Sequence, residues 1–153
     1  MPPVFAHGAL RLYLLALLEG GPKHGYELIK ALEGRFEGAY SPSAGTIYPR
    51  LGKLEAEGLV STEPSGRRTT YCITAAGVAE LNRRRVDLAA VERGISASVQ
   101  RLAVELMLQQ FGDGIRADLR GQSPHGSLNA VALDQVRLVL EQARSAISST
   151  LHS

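Results

Sequence analysis

One short segment carries side chains that hydrogen-bond or pair with anions at helical spacing. Intervals of four and three residues put four polar groups on one flank of a helix: Thr46, Arg50, Lys53 and Glu57. An apolar stripe at similar intervals predicts a buried side: Ile47, Leu51 and Leu54. The outermost face is nearly bare: Gly45, Pro49, Gly52 and Ala56. Such a helix can lie close against a large anionic surface.

Further groups that suit phosphates lie outside this segment. Arg67 and Arg68 adjoin Gly66 at a predicted hairpin tip, where they either contact a nucleic-acid backbone or only keep the tip soluble. Lys23 and His24 lie at the predicted start of a helix, whose free N–H groups and positive end attract a phosphate. These groups favour contacts with a polyanion.

Two tyrosines and a proline each have more than one interpretation. The Tyr48 hydroxyl either contacts a phosphate or sugar, or the ring closes off the local core. Tyr26 either adds a hydroxyl contact or buries its ring against the first helix. Pro49 lacks a backbone N–H, so the helix either bends there or ends early.

The elements needed to position these groups begin with three helices. Apolar residues at helical spacing predict a buried first helix near 10–18 and a second helix over about 24–36. For the third helix, Ser41 is expected as the N-cap, Pro42 as the first helical residue and Gly58 as the stop.

A β-hairpin is predicted directly after the third helix. Residues 59–63 and 68–74 are rich in β-branched and aromatic types, and 64–66 supply the turn. Helices two and three then form a helix-turn-helix pair and the hairpin forms a wing. In that arrangement the third helix would enter the major groove of DNA.

Two more amphipathic helices are predicted towards the C-terminus. Thr74 would cap a long helix that begins at Ala75 and is broken at 112–114. A loop over 113–129, with room for one helical turn, leads to a last helix over about 130–150. The stripe of the last helix is Val136, Leu140, Ala143, Ile147 and Leu151. These helices either pack on each other in a monomer or form a dimer interface. Two-fold symmetry of DNA half-sites favours the dimer.

Composition and charge limit the class of protein. The net charge is only +2, from 17 basic and 15 acidic residues, so DNA binding depends on local charge placement. A single cysteine, Cys72, excludes an internal disulfide framework. The N-terminal residues lack the pattern of a signal peptide, and the apolar run at 9–18 is too short to span a bilayer. We therefore expect a cytoplasmic protein that does not enter a membrane.

Catalysis and metal binding have little support in the sequence. The histidines His7, His24, His125 and His152 show no metal-ligand spacing, and no second cysteine completes a pair. Cys72 is either an oxidation sensor or, more simply, part of a strand's packing. Residues 83–85 are consecutive arginines, which point in different directions on a helix and are not counted as a site. We expect no enzyme activity and no cofactor.

Several motifs, in this order, resemble the PadR family of bacterial transcription regulators. The matching segments are Gly21-Pro22, Gly25-Tyr26-Glu27-Leu28, Ser43-Ala44-Gly45-Thr46-Ile47-Tyr48-Pro49, residues 51–60, Gly66-Arg67-Arg68 and residues 71–77. The resemblance implies a winged-helix domain, a dimer held by C-terminal helices, and repression that a ligand relieves. After Arg83 no family motif is found, and the chain has no Trp for the aromatic stacking used at a described drug site of the family.

The sequence thus predicts a mainly α, α+β winged helix-turn-helix fold. Residues 1–82 would form the DNA-binding domain and 83–153 a helical dimerisation region. The expected partners are double-stranded operator DNA, a second copy of the chain and a small hydrophobic or aromatic effector. The expected DNA-binding residues are Lys23, His24, Tyr26, Ser43, Thr46, Tyr48, Arg50, Lys53, Arg67 and Arg68. The alternative is a winged-helix module for protein interaction or small-molecule binding without specific DNA function.

Overall fold

The computed structural model describes residues 5, 8–38, 40–122 and 126–153. Its elements in chain order are α1 (Ala9–Glu19), β1 (Lys23–His24), α2 (Gly25–Arg35), α3 (Ala44–Ala56), β2 (Val60–Ser65), β3 (Arg68–Ile73), α4 (Ala75–Arg83), α5 (Arg85–Gly121) and α6 (Ala130–Leu151). The chain divides into two compact units, and the boundary along the chain falls between Leu108 and Gln109, within α5. The predicted boundary at 82/83 separates a DNA-binding domain from a dimerisation region, and it stays a prediction.

The core of the first unit is made by the helices whose apolar spacing predicted it. Helix α1 is buried almost all round, because its leucines and Tyr13 leave no polar face to solvent. Helices α2 and α3 add one stripe each, and β2, β3, α4 and α5 close the core. Residues with no more than 1% exposure are Leu14, Leu15, Leu18, Leu28, Leu32, Phe36, Ile47, Leu51, Leu54, Leu81 and Ile95. The predicted stripe of α3 is thus confirmed.

A three-stranded antiparallel sheet has the order β1-β3-β2. The predicted hairpin is present, but the short strand β1 was missed, because two residues give no alternation to detect. Lys23 pairs with Tyr71 and His24 with Thr70. The prediction that the second helix starts at about His24 is confirmed to within one residue: α2 begins at Gly25, His24 is its N-cap, and Lys23 precedes it in β1.

The start of α3 also differs from the prediction. The helix begins at Ala44 with Ser43 in extended conformation at the N-cap, and not with Ser41 and Pro42. Pro42 is buried ahead of the helix. Pro49 lies inside α3, so the helix does not end early. At the other end Gly58 has φ +76°, the left-handed conformation that terminates helices and that its lack of a Cβ permits.

The wing is longer than predicted and its turn is displaced. Ser65 pairs with Arg68, so Gly66 and Arg67 form the loop between the strands. Pro64, predicted in the turn, lies within β2 opposite Thr69. A proline is tolerated there because β2 is an edge strand and needs no N–H partner on its outer side.

The long helix predicted from Ala75 is two helices. Thr74 caps α4 as predicted, and its hydroxyl accepts a hydrogen bond from the Gly77 N–H at 3.1 Å. The chain leaves helical geometry at Arg84, and α5 follows. The predicted break at 112–114 does not occur, because α5 continues to Gly121. Glycine weakens a helix by only about 1 kcal/mol relative to alanine, too little to end one this long.

The predicted loop over 113–129 is therefore helical in its first part, and residues 123–125 lie outside the described residues. Asn129 caps α6 through a hydrogen bond from the Ala132 N–H to its side-chain oxygen, at 2.7 Å. No residue of α6 is buried. In the part of the chain that the structure describes, no helix is long and apolar enough to cross a membrane.

Candidate nucleic-acid interface

The polar flank of α3 is accessible and locally ordered by its own hydrogen bonds. Arg50 and Lys53 are exposed, and Thr46 is half-buried. The Arg50 guanidinium donates to the Thr46 carbonyl at 3.0 Å. The Thr46 hydroxyl lies 3.0 Å from the Ser43 hydroxyl. These contacts hold the first two turns of the flank in one conformation, with donors that can exchange to an external acceptor.

The outer face of α3 is as bare as its sequence indicates. A Cβ built on Gly52 meets no atom within 4 Å, and one on Gly45 meets only the Ser43 hydroxyl, at 3.8 Å. Pro49 and Ala56 on this face are also exposed. A surface without long side chains allows close approach of a partner's groove edge or backbone.

The tip of the wing is cationic. Arg67 and Arg68 are both exposed. Within the described residues, neither forms an ion pair with a carboxylate. Exposed cations without an internal counter-charge suit contact with phosphates.

A cleft of about 360 Å³ joins the wing to α2 and α3. Its polar lining comes from Arg67 and Arg68, from His24 and Tyr26 at the start of α2, from Tyr48 of α3 and from Tyr71 of β3. Six of the ten predicted site residues lie on or next to the cleft once Lys23, the neighbour of His24 in β1, is included. Ser43, Thr46, Arg50 and Lys53 do not line it.

The two tyrosines with open interpretations are both exposed. Tyr26 is 55% exposed, and its ring lies 5.3 Å from the Lys30 ammonium, so it is not buried against α1. Tyr48 is 42% exposed and its ring lies over Gly25. Tyr48 therefore does not close the core.

At the base of the cleft, burial raises the pKa of the Tyr71 phenol above its ordinary value, and nearby Tyr48 and Glu55 raise it further. Tyr71 thus stays a neutral hydroxyl. His24 is oriented by the sheet, since its Nδ1 lies 3.4 Å from the Thr69 carbonyl and 3.3 Å from the Thr70 hydroxyl. The Glu27 carboxylate accepts a hydrogen bond from the His24 backbone N–H at 2.7 Å.

The three consecutive arginines are engaged within the protein. Arg83 pairs with Glu80, and Arg84 pairs with Asp87 at 3.1 Å. Arg85 donates twice to Glu19 at the end of α1, at 3.1 and 2.5 Å. This pairing lowers the pKa of Glu19 and raises that of Arg85. Each of the three guanidinium groups therefore has a carboxylate partner within the chain.

No cluster of candidate metal ligands is found among the described residues, and Cys72 is a half-buried free thiol. His7 and His125 lie outside that part of the chain.

Sequence reasoning missed Gly25, Thr69 and Tyr71 as parts of the cleft. All three are brought to it by packing between elements distant in the chain, which leaves no local signal. Gly25 was named within a segment that matches the family, but not as a site residue.

The helical core, the helix-turn-helix pair and the basic hairpin define a winged helix-turn-helix domain. A model of the Transcriptional regulator PadR-like family matches residues 14–83. Transcriptional regulator Rv3488 of Mycobacterium tuberculosis is 36% identical over 95 residues, which cover 60% of this chain and 86% of that protein. The chain belongs to the PadR-like family.

Two further comparisons agree with this assignment. Transcriptional regulator YqjI of Escherichia coli (strain K12) is 39% identical over 94 residues, or 61% of this chain and 45% of that protein. The chain thus spans about half the length of that relative. The solved structure of a transcriptional regulator from Clostridium thermocellum matches with a TM-score of 0.51 at 23% identity, covering 60% of this chain and 93% of that one. That likeness shows the fold.

Proposed function

We propose that this protein is a sequence-specific DNA-binding transcriptional regulator that acts as a dimeric repressor. The observation that carries the proposal is the cleft in which the wing arginines and Tyr48 of α3 share one space. It makes α3 and the wing neighbours on one surface. Helix α3 then enters the major groove, while the wing contacts the flanking backbone.

Within this interface the roles divide by chemistry. Arg50 and Lys53 are exposed cations on α3 that can reach base edges or phosphates, and Thr46 adds a hydroxyl at its first turn. Ser43, the N-cap of α3, holds Thr46 through the bond between their hydroxyls. Lys23 lies in β1 beside the start of α2, within the positive region of that helix end.

The dimer is supported by the surface of α6. Its exposed apolar residues are Val131, Leu133, Val136, Leu138, Val139, Leu140, Ile147 and Leu151. A helix that buries no residue in one chain needs another partner for its apolar stripe. A second copy supplies it by two-fold symmetry and also provides a second recognition helix.

An assay with DNA from upstream of the protein's own gene tests the proposal. We expect retention of that duplex over a scrambled duplex of the same length, with affinity that falls steeply as salt rises. Equal retention of both duplexes would contradict sequence-specific binding and would favour a protein-interaction module.

Relief of repression by a small hydrophobic or aromatic compound is a further part of the proposal, and the family resemblance supports it. If such a compound lowers operator affinity, operator DNA must lower the affinity for the compound by the same factor. Calorimetric titration of a candidate compound into free and operator-bound protein measures both affinities. Equal values would mean that the compound is not the effector.

A further inference from the structure

We propose that the cleft between α2, α3 and the wing binds one backbone phosphate of the DNA duplex, and that Gly25 is the positioning residue that lets the Tyr48 hydroxyl reach it. This inference rests on the proposed function and assigns one contact within it.

The contact between Gly25 and Tyr48 is unusually close. A Cβ built on Gly25 would lie 2.5 Å from Tyr48 Cε1, 2.6 Å from its hydroxyl oxygen and 2.7 Å from Cζ. Real Cβ contacts do not occur below 3.0 Å. The hydroxyl end of the Tyr48 ring therefore rests on the space that any other residue at position 25 would fill.

Backbone conformation does not require a glycine at this position. Gly25 is the first residue of α2 and is not among the glycines with positive φ. Alanine would suit a helix better by about 0.5–1 kcal/mol. The structural feature that accounts for a glycine at position 25 is the space that Gly25 leaves for the Tyr48 ring.

The groups around the Tyr48 hydroxyl match the chemistry of a phosphate. Arg67 and Arg68 supply positive charge from the wing, and the start of α2, which is the positive end of that helix, also lines the cleft. None of the described residues that line the cleft carries a carboxylate. The nearby Glu27 carboxylate accepts from the His24 backbone N–H. The cleft therefore suits an anion and not an amine.

The position of the cleft favours a phosphate that belongs to a duplex. The cleft lies between the helix proposed to enter the major groove and the wing proposed to contact the flanking backbone, so a DNA strand that passes between them brings a phosphate to it. At about 360 Å³ it also has room for the adjoining sugar.

Two variants distinguish the role of the Tyr48 hydroxyl from the role of the space at Gly25 that holds the ring. Tyr48→Phe removes only the hydroxyl, whereas Gly25→Ala keeps it and displaces the ring. Gly34→Ala is the matched control, because Gly34 is also in α2 and a Cβ there meets nothing within 4 Å. Thermal unfolding of each variant verifies that it is folded.

Binding is measured with the duplex from upstream of the protein's own gene and with a series of versions of that duplex that each carry one neutral methylphosphonate. We expect Tyr48→Phe and Gly25→Ala each to weaken binding about tenfold, as for loss of a hydrogen bond to a charged group. The double variant should bind DNA no more weakly than either single variant, because both changes remove the same contact. The wild-type chain should lose affinity wherever a methylphosphonate replaces a contacted phosphate, and the two variants should be insensitive to the replacement at one such position per half-site. Gly34→Ala should bind like the wild type.

Unchanged binding by Tyr48→Phe, or a variant that keeps the wild-type sensitivity to every methylphosphonate, would overturn this inference while leaving the proposed function standing. A wild-type chain that binds no duplex specifically would overturn both. Calorimetric titration with inorganic phosphate at matched ionic strength tests the other source of the anion. Saturable binding that Tyr48→Phe abolishes, without an effect of that variant on DNA, would reassign the cleft to a free anion.

Discussion

The two arginines at the wing tip have no carboxylate partner among the described residues, whereas seven of the 17 basic residues of this protein do. Arg11, Lys30 and Arg85, for example, each pair with a glutamate. An exposed surface ion pair contributes little stability, but it does neutralise a charge that DNA would otherwise meet. Arg67 and Arg68 therefore present their full charge to a partner.

Replacing Arg67 and Arg68 with alanine should weaken binding to all DNA sequences similarly. The slope of log affinity against log salt should fall in magnitude by about one for each phosphate that an arginine of either subunit no longer neutralises. Arg83→Ala is the control, because Arg83 pairs with Glu80. If the double variant keeps both the affinity and the slope of the wild type, the wing does not touch DNA.

Gly52→Ala should separate stability from binding. An added methyl group at Gly52 meets no atom, and alanine in a helix interior is favoured by about 0.5–1 kcal/mol, so the free energy of unfolding should rise. Operator affinity should nevertheless fall, because the outer face of α3 can no longer approach the groove as closely. Denaturant unfolding and a DNA titration measure the two quantities, and the idea fails if both rise or affinity is unchanged.

At the scale of elements, most helices could be predicted because their apolar stripes are long and regular. The stripe of α3 and the extent of α6 are examples, because the stripe is buried and α6 spans Ala130–Leu151, close to the predicted 130–150. Three features could not be predicted, for physical reasons. β1 is formed only by pairing with β3, Pro64 is accepted because its strand is at an edge, and the glycines near 112 do not outweigh a long helix.

The candidate site likewise has one part that could be predicted from the sequence and one part that could not. The donors on α3 and at the wing tip could be proposed from residue type and spacing, and their exposure agrees with the proposal. The cleft could not be proposed, because it depends on how closely Tyr48 approaches Gly25 across two helices. Packing distances of this kind are not encoded in local periodicity.

The junction between the wing and α4 depends on one hydroxyl. Thr74 Oγ1 accepts from the Gly77 N–H at 3.1 Å and donates to the Gly58 carbonyl at 2.7 Å, so it links α4 to the end of α3. Thr74→Ala should lower the free energy of unfolding by about 1–2 kcal/mol, because the helix cap is removed and the carbonyl is left unpaired. Thr74→Ser keeps the hydroxyl and should recover most of this stability in denaturant unfolding. Equal stability of the alanine variant and the wild type would refute this role.

For the whole molecule, removal of residues 130–153 should abolish the dimer. The deletion takes away α6 and its exposed apolar residues, which we propose as interface. Sedimentation should then show a monomer. Specific DNA affinity should collapse, because two half-sites no longer bind as one unit. A truncated chain that stays dimeric with normal binding would show that α5 is sufficient.

The exposed surface of α6 has a consequence for dosage. If two chains must meet before either recognises its operator, the concentration of dimer in dilute protein rises with the square of the chain concentration. Occupancy of the operator would then change more steeply than protein synthesis does. A cell that halves its copy number would lose about three quarters of the active species, so the aliphatic residues of α6 would set how sharply the target gene responds.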